Sequence, residues 1–423
     1  MQNIIIKNNN FSINRISQID NNFFTGYYDF CPFDDQNKLI ICHKLNNIFE
    51  DPSFKNYIEV GFIDIKLKSF KSISETYAWN FQFGARPHWI KINNSNCIIF
   101  NNYKDKEIKA FIYDTDGNFI KMLNNSIFSW HELKKFGLTL NFKRLQKYRK
   151  GYGYNIYDEH VDSESITNDG ITYFDLNNSE LILSLEKIIS HEESNSYLDN
   201  VNHWVNHIQI NPSGKKFAFM HRFLDKNNSF STRLMLFCMN TKKLSCLYDN
   251  LYCSHYSWID NENILAWCRK SKSTNFLKKN KKFAVVRSTL RKLLGGNIIL
   301  RNSFLKDSFY RINIKKPKVL NSFFEINNLN DGHINCFPHG NKIIMDEYAD
   351  INKFQPLSIY DTKSNNLTRL FSAKAEPNEV PKHINFTQSE YRCDLHANWS
   401  RNENMISFDS THEGYRGVYL INL

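Results

Sequence analysis

Hydrophobic and polar residues alternate most clearly around a turn near the middle of the chain. Isoleucine alternates ahead of that turn in IQI (208–210), and phenylalanine alternates after it in FAF (217–219), at the period of two that β-strands show. The turn itself, Asn-Pro-Ser-Gly at 211–214, combines a proline that presets φ with a glycine that accepts a positive φ. This pattern predicts a β-hairpin over about 202–222.

The same hairpin recurs three more times toward the C-terminal end, and each copy carries a histidine five residues ahead of its turn. With the copies aligned on Pro212, the four histidines are His207, His255, His333 and His396. The chain has only 14 histidines in 423 residues, so chance does not account for the agreement. We therefore interpret the hairpin as a repeating unit with one position of chemical interest.

The N-terminal half follows the same pattern with more variation. Asp29 takes the histidine's position in the first copy, His88 takes it in the second with one residue of slippage, and Ser129 takes it in the third. Each hairpin is followed by two further strand-like runs, which makes units of four strands. Seven such units fit the chain, at about 20–70, 77–122, 126–190, 201–250, 251–320, 329–373 and 380–423.

Repeats of about 40 to 50 residues are typical of propellers and solenoids. Units of four strands predict an all-β fold, a seven-bladed β-propeller, with six or eight blades as alternatives. We expect a single propeller domain over 1–423, in which 1–19 supplies a strand that closes the ring. Insertions are predicted at about 142–165 and 269–306. The second is strongly basic over 269–292, which fits a flap over the ring, a polyanion contact or a solvated loop.

Propeller geometry turns two sequence positions into one site. The first strand of each blade lines the central channel and the second runs antiparallel beside it, so the start of one and the end of the other lie on the same face. We expect the polar residues at and just before these positions to surround one mouth of the channel. They include Tyr27, Tyr28, Asp29, Arg86, His88, His203, His207, His221, Arg222, His255, Asp331, His333, Tyr348, Arg392, Asp394 and His396.

These residue types suit a defined chemistry. Imidazole is a base near neutral pH and a metal ligand, arginine binds carboxylates through two hydrogen bonds, and tyrosine can protonate a leaving oxygen. Together they fit β-elimination on a uronic acid, where the carboxylate is neutralised, the C5 proton is removed and the glycosidic oxygen is protonated. For any single histidine the alternative is a hydrogen-bonding link between blades.

Composition adds the nature of the partner. A net charge of +11, from 54 basic and 43 acidic residues, favours an acidic oligosaccharide or polysaccharide, with ordinary solubility as the alternative. The nine cysteines show no CxxC spacing, and no apolar run is long enough for a membrane span, so we expect a cytoplasmic protein. No phosphate-binding loop occurs, and the basic stretches lack the aromatic pattern of nucleic-acid modules, so no nucleic acid is expected.

Three of these segments resemble a known family. HWVNHIQINPSGKKFAFMHR, DGHINCFPHGNKIIMDEY and RCDLHANWSRNENMISFDSTHEG are similar to the oligogalacturonate-lyase-like β-propellers, and the resemblance runs from about Gly26 to the C-terminus. It implies a lyase that holds a divalent cation, typically manganese, with His255 in the place of the base and His333 and His396 in the place of metal ligands. Where the family has a second late histidine this chain has Asn398, and a relative acting on another acidic glycan fits equally well.

The sequence therefore predicts a carbohydrate-active lyase on a uronic-acid-containing glycan, assisted by a divalent cation such as Mn²⁺. The alternative is a non-catalytic propeller that binds a glycan or a protein partner. In the lyase hypothesis the catalytic residues are His255, Tyr28, Arg222 and Arg392, the metal ligands are His207, His333 and His396, and the substrate-binding residues are Asp29, His88, His203, His221 and Tyr348.

Overall fold

Seven antiparallel sheets follow one another along the chain. The computed structural model describes residues 4–7, 11–53, 55–156, 165–191, 202–224, 230–270, 302, 305–324, 329–336 and 341–423. In each sheet, strands that are neighbours in sequence are also neighbours in space, which is the blade of a propeller. The fold is a seven-bladed β-propeller, as predicted, and the irregular third unit is a true blade.

The strands of the seven blades are short. The chain begins with β1 (Ile4–Lys7) and β2 (Ser12–Arg15). Blades 1 to 3 contain β3 (Asn22–Phe24), β4 (Leu39–Leu45), β5 (Ile58–Asp64), β6 (Ser69–Thr76), β7 (His88–Ile92), β8 (Ser95–Lys104), β9 (Glu107–Asp114), β10 (Phe119–Met122), β11 (Ser129–His131), β12 (Phe136–Thr139), β13 (Gly170–Phe174) and β14 (Ser179–Ser184). Blades 4 and 5 contain β15 (Asn202–Ile210), β16 (Lys216–Leu224), β17 (Phe230–Cys238), β18 (Lys243–Tyr248), β19 (Cys253–Trp258), β20 (Asn263–Arg269), β21 (Asp307–Asn313) and β22 (Asn321–Ser322). Blades 6 and 7 contain β23 (Ile334–Cys336), β24 (Lys342–Asp346), β25 (Phe354–Asp361), β26 (Asn366–Lys374), β27 (Asn398–Trp399), β28 (Met405–Ser410) and β29 (Gly417–Asn422).

The N-terminal strands complete the last two blades. Strand β2 pairs antiparallel with β29, from Ser12 opposite Asn422 to Arg15 opposite Tyr419, and so becomes the outer strand of blade 7. Strand β1 pairs with β26 and adds a fifth strand to blade 6. The prediction that the N-terminal residues close the ring through the last blade is confirmed.

Helices are few. Helix α1 (Phe142–Tyr148) lies in the first predicted insertion, and its N-cap Asn141 accepts the backbone N–H of Arg144 at 2.9 Å. Helix α2 (Leu185–Ser190) follows β14, and one turn of 3₁₀-helix covers Phe386–Gln388. No helix among the described residues is long and apolar enough to cross a membrane. The basic stretch 269–292 lies almost entirely outside the described residues.

Aspartates in the turn between the third and fourth strands have a structural role. The carboxylate of Asp114 accepts two backbone N–H groups of its own turn at 2.8 and 2.9 Å, and Asp175 and Asp361 do the same in blades 3 and 6. Side chains that accept in this way stabilise tight turns. These three aspartates therefore cap their turns.

The chain divides into two compact units. The first comprises Met1–Ser184, Ile344–Ile359 and Thr368–Leu423, and the second comprises Leu185–Ile343 and Tyr360–Leu367. Each has its own apolar core between neighbouring blades, as where Trp89 packs with residues of blade 1, and where Trp258 packs with residues of blade 4. That 1–423 forms a single domain stays a prediction.

Candidate functional site

A β-bulge sets the first histidine of the repeat apart from its strand. Strands β15 and β16 pair in register except between Asn206 and Gln209, where His207 has a positive φ of 50°. The backbone N–H of His207 donates to the Asn206 side chain at 2.8 Å, and the His207 carbonyl accepts the Tyr256 hydroxyl. A positive φ is unusual for a residue with a side chain, and a bulge changes the direction in which a side chain points. The bulge therefore sets the direction of the His207 imidazole.

Three histidines of the repeat come together in the second unit. The rings of His207 and His255 lie with centroids 6.1 Å apart, and those of His255 and His333 lie 4.5 Å apart. All three side chains are buried. The register of the repeat therefore predicted a real cluster, made by three successive blades.

His255 has the surroundings of a general base. Its Nδ1 lies 3.0 Å from a carboxylate oxygen of Asp331 and 3.0 Å from the Ser254 hydroxyl. Because a carboxylate only accepts, Nδ1 carries the hydrogen and Nε2 carries the lone pair. Burial lowers the pKa of His255, the Asp331 carboxylate opposes this, and the neighbouring His333 lowers it further. A neutral imidazole with a lone pair on Nε2 can accept a proton.

Arg222 is fixed beside this cluster. Its guanidinium donates to the Ser254 carbonyl at 3.3 Å and lies 5.1 Å from the ring centroid of Phe230. The positive charge of Arg222 also contributes to lowering the pKa of His255. A cation held next to a neutral base can attract an anionic group of a substrate.

A second pair of histidines in the same unit is set by an arginine. Arg233 donates to Nδ1 of His221 at 3.1 and 3.0 Å, and Nε2 of His221 lies 3.0 Å from Nδ1 of His203. Arginine never accepts, so His221 must donate through Nε2 and His203 must carry its hydrogen on its own Nε2. Burial, and then the charge of Arg233, hold the pKa of His221 well below its usual value.

In the first unit, Arg392 is held by hydrogen bonds on three sides. Its Nε donates to Asp394 at 2.9 Å, Nη2 donates to the Tyr152 hydroxyl at 2.9 Å, and Nη1 donates to the Ser389 carbonyl at 3.4 Å. Although burial alone would lower it, the pKa of Arg392 is raised well above its usual value, chiefly because of the Asp394 carboxylate. The guanidinium is therefore a permanent, oriented cation.

Tyrosines surround the same region of the first unit. The ring of Tyr27 lies 4.7 Å from that of Tyr28 and 4.7 Å from that of His396. Burial raises the pKa of Tyr27 well above its usual value, and neighbouring groups that include Tyr152 and Tyr348 raise it further. His396 itself has a positive φ of 42°, like His207, and its backbone N–H donates to Asp346 at 3.0 Å.

In blade 2, a residue with a positive φ of 53°, Arg86, lies just ahead of the inner strand. His88 lies two residues farther along, directly opposite Ile99. Arg86 forms a buried ion pair with Asp29 at 2.7 Å, so both oxygens of that carboxylate are engaged. Burial, and then the charge of Arg86, hold the pKa of His88 well below its usual value. Asp29 therefore anchors Arg86 in the first unit.

The predicted residues thus fall into two groups. The second unit brings together His207, Arg222, His255 and His333, and separately pairs His203 with His221, while the first unit contains Tyr28, Asp29, His88, Tyr348, Arg392 and His396. Roles in substrate binding and catalysis stay predictions for all of them.

The donor atoms fit a divalent cation. The second unit offers imidazole nitrogens of His207 and His333, and the first offers His396 with the buried carboxylate of Asp394. Imidazole and carboxylate are both accepted by Mn²⁺ and similar ions. That His207, His333 and His396 bind one ion joins residues of both units and stays a prediction.

Two residues that contact the predicted site were missed from the sequence. The predicted site residues did not include Tyr152, which lies in the predicted insertion, or Arg233, which lies on the third strand of its blade. Once the register of β16 and β17 was known, the position of His221 directly opposite Arg233 could have indicated the contact between these two residues.

Solved structures with the same architecture exist. An oligogalacturonate lyase in complex with manganese is 13% identical, with a TM-score of 0.60 over 99% of this chain and 95% of that chain. An oligogalacturonate lyase from Vibrio parahaemolyticus is 11% identical, with a TM-score of 0.59 over 99% of this chain and 96% of that chain. No model of a protein family matches the chain, and no curated protein does.

At these identities the likeness establishes the fold alone, since one fold serves many functions. In fold, over nearly its whole length, this chain is similar to the oligogalacturonate lyases, the family that its sequence motifs resemble.

Proposed function

We propose that the protein is a lyase that cleaves an acidic glycan by β-elimination beside a uronic acid. The observation that carries the proposal is the buried cluster of His207, His255 and His333, in which Asp331 orients His255 as a base. If these histidines only linked neighbouring blades, one hydrogen bond from one histidine would be enough for each link. Three adjacent imidazoles, one of them backed by a carboxylate, are costly to bury unless they serve a function.

The first step is removal of the C5 proton of the uronate. That proton is acidified when the charge of the C6 carboxylate is neutralised, and Arg392 and Arg222 are the candidate cations. In this proposal Nε2 of His255 takes the proton, while the Asp331 carboxylate stabilises the imidazolium that forms.

The second step breaks the bond between C4 and the glycosidic oxygen. The electron pair of the C5–H bond forms the C4=C5 double bond, and the leaving oxygen receives a proton. Tyr28 remains the candidate for this acid, since it lies in the tyrosine-lined region of the first unit beside Tyr27.

A divalent cation fits the proposal as a further electrophile at the carboxylate. His207, His333 and His396 are the candidates to hold it, as the sequence repeat predicts, and imidazole nitrogens suit Mn²⁺. One similar solved structure is a manganese complex, which supports testing this ion first. Bound there, the cation would withdraw charge from the uronate; proton transfer remains with the side chains.

The test is a direct assay of cleavage. Purified protein is incubated with a panel of uronate oligosaccharides, with and without Mn²⁺, and the ultraviolet absorbance of the unsaturated product is followed. We expect product with the wild-type protein, a loss of about 100-fold or more with His255→Gln, and no change with the control His383→Gln, an exposed histidine. Binding of the oligosaccharides with no product from any of them would contradict the lyase and support the non-catalytic glycan-binding propeller.

A further inference from the structure

Tyr152 belongs to the segment between β12 and β13 that follows helix α1. The residue is only 3% exposed, and it lies in a segment that was predicted to be an insertion. The ring packs edge-on against Phe83 with centroids 5.3 Å apart, and the Arg149 guanidinium lies 4.8 Å from its centre. The residue is therefore built into the first unit.

The backbone around Tyr152 is fixed as firmly as the side chain. Gly151 has a φ of 82°, and a Cβ there would overlap the Glu390 carboxylate. The Gly153 carbonyl accepts from Asn80 at 2.9 Å, and the Asn101 amide and the Tyr154 hydroxyl are 2.9 Å apart. The segment thus positions Tyr152 against the 389–394 stretch, which is its neighbour in space and far away in sequence.

The contact that matters is the one with Arg392. A guanidinium has five N–H groups, and among the described residues three of them donate to Asp394, Tyr152 and Ser389. One N–H on each Nη remains, and we assign these two to the edge that binds a carboxylate through parallel hydrogen bonds. The side chain of Arg392 is 14% exposed, and the inference needs this edge to be part of that exposed surface.

This geometry points to Tyr152 as a positioning residue for carboxylate recognition, an inference that rests on the proposed action on uronates. The hydroxyl accepts one N–H of Nη2 and so fixes the rotation of the guanidinium, while Asp394 fixes it from the Nε side. The remaining edge is then presented to a uronate carboxylate. Its methyl ester, which lacks the charge, is disfavoured at the same place.

The experiment compares a uronate oligosaccharide with its methyl ester on the full-length protein. Binding is measured by calorimetry, and cleavage is measured in parallel for KM and kcat. For Tyr152→Phe we expect affinity for the uronate to fall, and KM to rise, by about 10- to 100-fold, with little change for the ester, because one hydrogen bond to a charged group is lost. Arg392→Lys, which keeps the charge but loses the two-pronged edge, should reduce the preference for the uronate to a similar extent.

Tyr154→Phe is the matched control. It removes a hydroxyl from the same segment, yet that hydroxyl contacts Asn101, so stability should fall slightly while the preference for uronate over ester stays unchanged. Equal loss of the preference in both tyrosine variants would show a purely structural role and overturn the inference. If Tyr152→Phe leaves uronate binding intact, the inference about Tyr152 is overturned and the proposed function is not. If the wild-type protein binds no uronate, the inference and the proposed function are overturned together.

Discussion

Gly84 is a residue at which one added methyl group should be costly. It has a φ of 57°, and a Cβ built there would overlap the imidazole of His43. That imidazole is buried and links two blades, since its Nε2 accepts the backbone N–H of Ala85 at 3.0 Å and its Nδ1 lies 3.1 Å from the Phe24 carbonyl. Gly84→Ala therefore strains the backbone, displaces the ring and breaks these two hydrogen bonds.

Each part of this cost has a known scale. A left-handed backbone costs an alanine about 1 kcal/mol or somewhat more, overpacking of a buried site costs about 1–3 kcal/mol, and a broken buried hydrogen bond costs about 1–3 kcal/mol. We expect Gly84→Ala to lower the free energy of unfolding by about 3–6 kcal/mol. Gly117→Ala is the control, because its φ is also positive at 94° but the nearest atom to its Cβ would be 3.7 Å away. It should cost only about 1–2 kcal/mol.

Urea denaturation of both variants, at constant m-value, measures the difference. A double-mutant cycle with His43→Ala isolates the contact between the two residues. In the His43→Ala protein, Gly84→Ala should lower the free energy of unfolding by no more than Gly117→Ala does in the wild type. Equal costs for the two glycine variants in the wild-type protein would refute the packing of His43 against Gly84.

Three further predictions concern titrating groups. Burial lowers the pKa of His43 to about 3, so the unfolded state binds the proton more tightly between about pH 3 and 6.5. The free energy of unfolding therefore falls as the pH drops through that range. His43→Gln should flatten this part of a stability profile measured by urea denaturation. Burial raises the pKa of Asp409 to about 7 from 3.8, so the folded state binds this proton more tightly, and the free energy of unfolding falls as the pH rises from about 4 to 7. Asp409→Asn should remove that slope in the same assay. An unchanged slope would contradict the assignment. Asp331→Asn should lower kcat by about tenfold or more with little change in KM, because it removes the carboxylate that stabilises protonated His255; steady-state kinetics decides this, and an effect on KM alone would place Asp331 in substrate binding.

The histidine cluster could be predicted from sequence because repeats convert sequence register into spatial neighbourhood. His207, His255 and His333 were aligned by counting back from a turn, and the structure places their rings side by side. In blade 2 the turn is only two residues, Asn93 and Asn94, and a residue with a positive φ, Arg86, lies two residues before His88.

The hairpin pattern could not predict contacts that depend on the register of other strands or on loops far apart in sequence. Arg233 meets His221 only because β16 and β17 pair with these residues opposite each other. Tyr152 and Arg392 are 240 residues apart, and nothing in either segment marks the other. A recurring tryptophan is a further signal in the sequence: Trp89 and Trp258 both donate to a carbonyl of the preceding blade, at 2.8 and 3.1 Å.

The central claim, elimination beside a uronate, is tested most directly by the fate of water in the reaction. Cleavage of a uronate oligosaccharide in heavy-oxygen water, followed by mass spectrometry, distinguishes elimination from hydrolysis. The account predicts products whose masses sum to that of the substrate, with no heavy oxygen incorporated and with the double bond on the fragment that carried the reacting uronate. Incorporation of one heavy oxygen per cleavage, or the absence of any cleavage by a protein that binds the oligosaccharide, would contradict it.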